Sequence, residues 1–356
     1  MSQRLANLRQ IMSREGLDLL LVGQPENRRY LSGFTGSDGV LLITEDRAML
    51  AADFRYYEQV KMEAPDFELV RLGTDMVASL AAQVRELGPK RLGFESHAVT
   101  VETYEEWRTA ISDPEWVPTS KLVEELRVIK DAHELAALEE AVRIADQAMA
   151  HIQEWLRPGV TERELAWELQ VYMRTQGAEK LSFDTILASG PNGAMCHAVP
   201  SDRPIQVGDP IIIDMGALYE GYCSDMTRSF CLGTASDQYR QVWDTVLQAQ
   251  LATEEAVKPG MTGIQMDAVA RDIIYGAGYE GKFGHGLGHG VGLAIHEPPR
   301  ASRTSTDLLS AGMVLTVEPG IYVPGWGGVR IEDMVVLTED GCRVLTQAPK
   351  VPVVPV

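Results

Sequence analysis

The sequence is poor in cationic side chains. Its 356 residues include 32 Lys and Arg against 51 Asp and Glu, which gives a formal net charge of −19. Because affinity for nucleic acid comes largely from cations that neutralise phosphates, this balance argues against a nucleic-acid partner. The same balance argues against binding to an anionic membrane surface.

Long apolar runs and paired cysteines are also missing. No run approaches the ~20 residues of a membrane helix, and the N-terminal stretch MSQRLANLRQIM lacks the layout of a signal peptide. We therefore expect a cytoplasmic protein. No CxxC pair is present, so we expect free thiols in a reducing compartment. A cross-strand disulfide between Cys223 and Cys231 is the less favoured alternative.

The length exceeds the roughly 250–300 residues at which single cores usually split, which predicts two domains. Helix-like and strand-like segments alternate in the first third of the chain and indicate a small α/β domain. The segments are helices at 2–16 and 75–88 and strands at 17–23, 39–44, 48–53 and 91–95. From Asp131 onward two long helical patterns follow, separated by Pro158-Gly159. We expect domains at 1–125 and 126–356.

The second part contains a faint internal repeat. The stretch Pro158-Gly159-Val160-Thr161 recurs 101 positions later as Pro259-Gly260-Met261-Thr262. GDPIIIDMG (208–216) matches GMVLTVEPG (312–320), so that Asp214 falls on Glu318. This order predicts two halves of one architecture. Chance likeness between helical arrays is the alternative.

Four acids lie in apolar, strand-like surroundings: Asp214, Asp225, Glu318 and Glu332. Asp214 and Asp225 predict one β-hairpin with an acid on each strand, and Glu318 and Glu332 predict a second. Each acid by itself is compatible with an exposed position or an arginine partner. Four buried together would have raised pKa values unless cations lie between them.

Three of the seven histidines fall within twelve residues, in FGHGLGHGVGLAIHE: His285, His289 and His296. The interleaved glycines disfavour a helix and favour a backbone that ligands approach closely. A phosphate loop is the competing interpretation, but neither GxGxxG nor GxxxxGK[ST] is present. Four carboxylates and an imidazole suit two divalent ions, Mn²⁺, Zn²⁺ or Co²⁺. Such a pair can hold a bridging hydroxide as nucleophile and polarise a carbonyl.

These motifs resemble those of the pita-bread metallopeptidases, and within them the Xaa-Pro peptidases, aminopeptidase P and prolidase. The matching stretches are IIIDMGA, YCSDMTRSF, HGLGHGVGLAIHE, VEPGIY and VRIEDMVV, in order and spacing. NRRYLSGFTGSDG (27–39) and DFRYYEQV (53–60) resemble the creatinase-like N-terminal domain of this group. The resemblance implies an α/β (α+β) fold: a creatinase-like domain, then a pita-bread catalytic domain with internal pseudo-twofold symmetry. It also implies a homodimer.

The resemblance assigns five metal ligands to two divalent ions per subunit. They are Asp214, Asp225, His289, Glu318 and Glu332. Asp225 and Glu332 match the residues that bridge both ions. Asp214 completes one metal site, and His289 with Glu318 completes the other. Glu318 also matches the residue that activates the nucleophile or carries its proton.

Five further positions match residues that contact or orient the substrate. His285 and His296 match substrate-contacting histidines, and His197 matches a histidine near the scissile carbonyl. Tyr322 matches an aromatic position beside the substrate. Arg330 stands where the family places an arginine that orients the ligands.

The resemblance implies hydrolysis of Xaa-Pro bonds in proline-containing peptides. The expected activity is release of an N-terminal residue that precedes proline, favoured by DFRYYEQV. A dipeptidase (prolidase) is the alternative. Arg300 resembles an arginine that some prolidases use for a C-terminal carboxylate, although it also suits a surface loop. A methionine aminopeptidase would not need the N-terminal domain, and creatinase or a binding module would lack the complete ligand set.

Overall fold

The structure is a computed structural model that describes residues 3–356. The chain divides into two compact units, Met1–Arg127 and Val128–Val356. Within residues 3–356, no helix has the length and hydropathy needed to cross a membrane. All four cysteines are free thiols, so the alternative disulfide between Cys223 and Cys231 is not formed.

The N-terminal unit is a six-stranded mixed sheet with helices, and its strand order is β4-β3-β2-β1-β5-β6. The strands are β1 Leu19–Val22, β2 Val40–Thr44, β3 Ala48–Ala52, β4 Glu68–Arg71, β5 Arg91–Glu95 and β6 Glu115–Thr119. The helices are α1 Gln3–Glu15, α2 Pro25–Ser32, α3 Tyr57–Glu63, α4 Met76–Leu87, α5 Val101–Ala110 and α6 Glu124–Arg127, with a 3₁₀ turn at Phe54–Tyr56.

The elements predicted for this unit are confirmed to within about two residues. Helix α1 buries Leu5, Leu8, Ile11 and Met12, which is the stripe that its helical period indicates. Residue 2, the first of that predicted helix, lies outside the described residues. Strand β1 is buried along its whole length, which explains why its sequence is continuously apolar rather than alternating.

The C-terminal unit contains four helices and several small sheets. The helices are α7 Ala132–Gln153, α8 Glu162–Thr175, α9 Asp237–Ala256 and α10 Gly263–Gly276, with a 3₁₀ turn at Gly190–Ala194. The strands are β7 Lys180–Leu181, β8 Ile186–Ser189, β9 Pro210–Met215, β10 Ala217–Tyr219, β11 Tyr222–Cys223, β12 Met226–Leu232, β13 Gly288–Gly290, β14 Glu297–Ala301, β15 Val314–Val317, β16 Gly320–Val323, β17 Gly327–Arg330, β18 Asp333–Leu337, β19 Cys342–Val344 and β20 Val353–Val354.

The predicted internal repeat is present in this unit. Helices α7 and α8 form one apolar cluster with β8, β9 and β12, and helices α9 and α10 form another with β15, β17 and β18. The turns before α8 and α10 also correspond. The amide of Gly159 donates to the carbonyl of Ile205 at 2.9 Å, and Gly260 donates to Leu309 at the same distance.

The acid-bearing hairpins differ from the prediction in one respect. Only Asp214 lies inside a strand, whereas Asp225, Glu318 and Glu332 lie at breaks between consecutive strands. After β9 the chain forms the small pair β10 and β11 and then returns as β12, which pairs with β9. In the same way, the chain after β15 forms the pair β16 and β17 and returns as β18, which pairs with β15. Each long hairpin is therefore interrupted at or beside its acids.

The repeat makes a prediction about two helix caps. Thr161 and Thr262 each close a capping box, with Glu164 and Gln265 as the reciprocal residues. We expect Thr161→Ala and Thr262→Ala each to lower the free energy of unfolding by about 1 kcal/mol, because each removes an N-cap acceptor. Chemical denaturation measures both variants. Thr175→Ala at the last residue of α8 is the control. If only one of the two cap variants lost stability, the two caps would not have equivalent roles in the repeat.

Candidate metal centre

A cavity of about 860 Å³ opens in the C-terminal unit. All five residues expected to bind metal line it, together with the three histidines expected to act on the substrate, and with Arg300 and Arg330. Tyr322 lies just behind this lining, where its hydroxyl accepts a hydrogen bond from Arg330 Nη1 at 2.8 Å. The cavity therefore brings the predicted residues of both halves together.

The interrupted hairpins place the acids. Asp214 lies in β9, opposite Ile186 of β8 and Thr227 of β12. Glu318 follows β15, and its backbone amide donates to the carbonyl of Leu287 at 2.9 Å. Glu332 precedes β18, and its amide donates to the carbonyl of Thr227 at 3.1 Å. Main-chain bonds thus fix the backbone at Asp214, Glu318 and Glu332.

Three of the expected ligands form a compact cluster. Ligand atoms of Asp225, His289 and Glu332 all lie within 4.8 Å of one another. Nε2 of His289 lies 3.5 Å from Oδ2 of Asp225 and 3.5 Å from Oε1 of Glu318. Asp214 lines the same cavity on the β9 side. The arrangement has one imidazole facing several carboxylates.

The imidazole of His289 is prepared as an acceptor. Its Nδ1 lies 3.1 Å from the carbonyl oxygen of Gly290, which places the proton on Nδ1 and leaves the lone pair on Nε2 facing the acids. Burial lowers the pKa of His289 to about 4. A neutral imidazole whose other ring nitrogen donates to a backbone carbonyl is the usual state of a metal-binding histidine.

The acids have raised pKa values, because burial and mutual repulsion penalise their charged forms. Burial, followed by the charges of Glu332 and Asp214, raises the pKa of Asp225 well above its usual range. Burial and the charge of Glu318 do the same to the pKa of Glu332. Burial also raises the pKa of Glu318 to about 8. Divalent cations would reverse these shifts.

An unpaired oxygen supports the same interpretation. Oδ1 of Asp214 is buried and has no hydrogen-bond partner, whereas its Oδ2 accepts from Arg330. A buried carboxylate oxygen without a donor is costly, and a cation satisfies it. Oxygen and imidazole donors without thiols suit Mn²⁺, Zn²⁺ or Co²⁺. The residues present therefore fit a divalent metal centre.

Arg330 and Thr227 form a hydrogen-bonded frame behind the acids. Besides Asp214, Arg330 donates from Nε to Thr227 Oγ1 at 3.0 Å and from Nη1 to the Tyr322 hydroxyl at 2.8 Å. Thr227 in turn donates to Oε2 of Glu332 at 2.7 Å. The Arg330 guanidinium thus holds Asp214 directly and Glu332 through Thr227, so it orients acids from both hairpins. This agrees with the orienting role expected for Arg330.

Both ring nitrogens of His285 have hydrogen-bond partners, and one of them is the Tyr322 hydroxyl of this frame. Nδ1 lies 2.7 Å from the carbonyl of Gly286, and Nε2 lies 2.9 Å from the Tyr322 hydroxyl. Because that hydroxyl accepts from Arg330, its own proton points to Nε2. Burial lowers the pKa of His285 to about 4. His285 is therefore a neutral, oriented group rather than a free proton donor.

His197 and His296 differ from His285 because both are exposed within the cavity. The ring of His296 lies 4.3 Å from that of His289, at an interplanar angle of 70°. Burial and the nearby Arg300 guanidinium lower the pKa of His296. These two imidazoles are free to meet a substrate at the edge of the acid cluster.

Sequence reasoning missed the residues that hold the glycine-rich segment. Arg271 of α10 donates to the carbonyl oxygens of Phe283 and His285, each at 2.8 Å, and pairs with Asp267 at 2.6 Å. Asp267 also accepts from the amide of Leu287 at 3.1 Å. An Asp and an Arg four residues apart are common on any helix, so no sequence signal marked them, and none marked Thr227.

Solved structures of two peptidases have this fold. A Bacillus anthracis protein described as an Xaa-Pro dipeptidase shares 44% identity, with a TM-score of 0.97 and 99% of each chain covered. A Thermotoga maritima X-Pro aminopeptidase shares 39% identity, with a TM-score of 0.90 over 97% of this chain and 100% of that one. A curated Xaa-Pro dipeptidase of Pyrococcus furiosus is 38% identical over 98% of this chain and 99% of its own.

Two families match consecutive parts of the chain. The Creatinase/Prolidase N-terminal domain matches residues 4–129, and Metallopeptidase family M24 matches residues 136–339. The second match covers more than half of the chain and contains every residue expected to bind metal or substrate. The chain therefore belongs to metallopeptidase family M24 and is a metal-dependent hydrolase.

Proposed function

We propose that this protein hydrolyses the peptide bond that precedes proline, with two divalent ions held by Asp214, Asp225, His289, Glu318 and Glu332. The observation that carries the proposal is the acid cluster facing one neutral imidazole within a cavity. Asp225 and Glu332, one from each hairpin, would hold both ions. Mn²⁺ or Zn²⁺ are the expected ions, and Co²⁺ suits the same donors. The activities for which the similar proteins are named agree with this substrate class.

The ions, when bound, supply a water of lowered pKa as nucleophile and polarise the scissile carbonyl. His197 and His296 donate hydrogen bonds to the carbonyl oxygen as negative charge develops on it. Glu318 accepts a proton from the nucleophile and delivers it to the leaving proline nitrogen. Arg330 keeps Asp214 in position, and the hydroxyl of Tyr322 orients His285.

An Xaa-Pro bond is a tertiary amide without an N–H group. The enzyme must therefore hold the pyrrolidine ring by shape rather than by a backbone hydrogen bond. The cavity of about 860 Å³ is at the upper end of the roughly 300–1,000 Å³ of small-molecule sites. Because this space exceeds what a dipeptide fills, we propose an aminopeptidase that releases the residue before proline from longer peptides.

A dipeptidase is the second candidate, and Arg300 favours it. This residue lies opposite His289 in the pairing of β13 with β14, and it lines the cavity. Its guanidinium carries a positive charge where the C-terminal carboxylate of an Xaa-Pro dipeptide would lie. The names of the similar structures include both activities.

The homodimer and the cytoplasmic location remain predictions. Both follow from the resemblance and from the composition of the chain. Sedimentation of the metal-loaded protein tests the first, and fractionation of the source cells tests the second.

Neutralising a bridging acid should separate metal binding from folding. We expect Asp225→Asn and Glu332→Gln each to lose at least one bound ion and nearly all activity. In EDTA, the Asn variant should melt at or above the wild-type temperature, because it removes a buried like charge. Elemental analysis and thermal melts with and without Mn²⁺ measure these effects. Glu254→Gln, at an acid outside the cavity, is the matched control, and a Glu332→Gln protein that keeps two ions refutes the bridging role.

The two activities separate on matched substrates. We expect the metal-loaded protein to cleave Ala-Pro-Ala faster than Ala-Pro, and we expect Arg300→Ala to alter tripeptide cleavage only slightly. If Ala-Pro is preferred and Arg300→Ala raises its KM about tenfold or more through loss of a charged contact, the dipeptidase assignment replaces the aminopeptidase. Hydrolysis of neither peptide after metal loading contradicts both.

A further inference from the structure

One wall of the cavity is built by a single face of α8. Arg163, Ala166, Trp167 and Gln170 all line the cavity, and their spacing places them on one side of the helix. Trp167 is 64% exposed, although tryptophan is usually well buried. A large apolar ring that faces a cavity instead of the core is a candidate ligand contact.

The internal repeat shows that this face is used differently in the other half. At the 101-residue offset, Ala166 and Gln170 correspond to Asp267 and Arg271 of α10. The latter pair is buried and holds the glycine-rich segment that carries His285. In α8, an alanine and a glutamine replace the ion pair, and the same face borders the cavity. The face that supports the site in one half is therefore open to substrate in the other.

The wall around Trp167 is mainly apolar. Leu181, Phe183 and Val199 line the same cavity, and Val199 is 83% exposed. We call these three residues with Trp167 the α8 shelf. Arg163 is a charged neighbour on α8, and it lies 3.3 Å from Asp202 in a solvent-exposed ion pair. That pairing leaves the shelf without a strong preference for an acidic group.

Strand pairing shows which half of the metal centre the shelf belongs to. Helix α8 packs on β8, and Ile186 of β8 pairs with Asp214, so the shelf belongs to the Asp214 half of the centre. Arg300 pairs with His289 and belongs to the other half. The acids of both halves attract a peptide's ammonium group, and the Arg300 cation draws its carboxyl-terminal side toward the His289 half. The residue before proline then lies on the Asp214 side.

We infer that the α8 shelf binds the side chain of the residue that precedes proline, and that Trp167 makes the enzyme favour nonpolar residues there. This inference rests on the proposed Xaa-Pro hydrolysis. Indole surface covers leucine or phenylalanine side chains well, whereas glycine and alanine present little area to it. Trp167 is thus a specificity residue, separate from the groups that act on the scissile bond.

The test compares Trp167→Ala and Trp167→Phe with the wild-type protein. The substrates are Gly-Pro, Ala-Pro, Leu-Pro and Phe-Pro, each also supplied with a C-terminal alanine so that either activity is detected. Trp155→Ala is the matched control, because Trp155 is 38% exposed on the surface and is absent from the cavity lining. Steady-state kinetics give kcat and KM, and elemental analysis and sedimentation check metal content and assembly.

We expect Trp167→Ala to lower the Leu-to-Ala ratio of kcat/KM about tenfold, mainly by raising KM for the leucine and phenylalanine substrates. Trp167→Phe should keep most of the preference, and Trp155→Ala should leave it unchanged. An equal change for all substrates, or a change in assembly without a change in preference, overturns the inference. If the wild-type protein cleaves no Xaa-Pro substrate, the proposed function itself fails.

Discussion

Crowding of carboxylates in an apolar sheet is the constraint on which this structure depends. Asp225 and Glu332 are almost fully buried, and Glu318 and Asp214 add their charge to the same small volume. In water-poor surroundings such charges repel strongly, and a protein without compensating cations would hold protons there or lose stability. The Arg330 guanidinium offsets part of the repulsion, and Oδ1 of Asp214 is left without a hydrogen-bond donor. Divalent ions satisfy the acids and at the same time supply the chemistry.

The internal repeat explains how such a cluster forms. Each half breaks a long hairpin at or beside its acids, and Arg330 and Thr227 link acids of the two halves. The halves have diverged on their helices. Asp267 and Arg271 of α10 hold the histidine segment, whereas the corresponding face of α8 borders the cavity. The same helix–strand unit therefore provides support for the site on one side and contact with substrate on the other.

The sequence predicts the elements that local patterns encode. The stripe of α1, the two helices after Asp131 and the repeat through Asp214 and Glu318 follow from periodicity and spacing. The breaks at Asp225 and Glu332 were not predictable, because an interrupted strand and a continuous one have the same apolar pattern. The roles of Thr227 and Arg271 depend on contacts between residues far apart in the chain. The hydrogen bond between His285 Nε2 and the Tyr322 hydroxyl could not be predicted from the sequence either.

The most direct test is anomalous diffraction from crystals of the Mn²⁺-loaded protein. The account predicts two manganese peaks, separated by ~3.5–4 Å. Asp225 and Glu332 should lie between them, His289 and Glu318 beside one peak, and Asp214 beside the other. A single peak, or peaks that leave Asp225 and Glu332 uncoordinated at neutral pH, would contradict the claim that these buried acids exist to hold two cations.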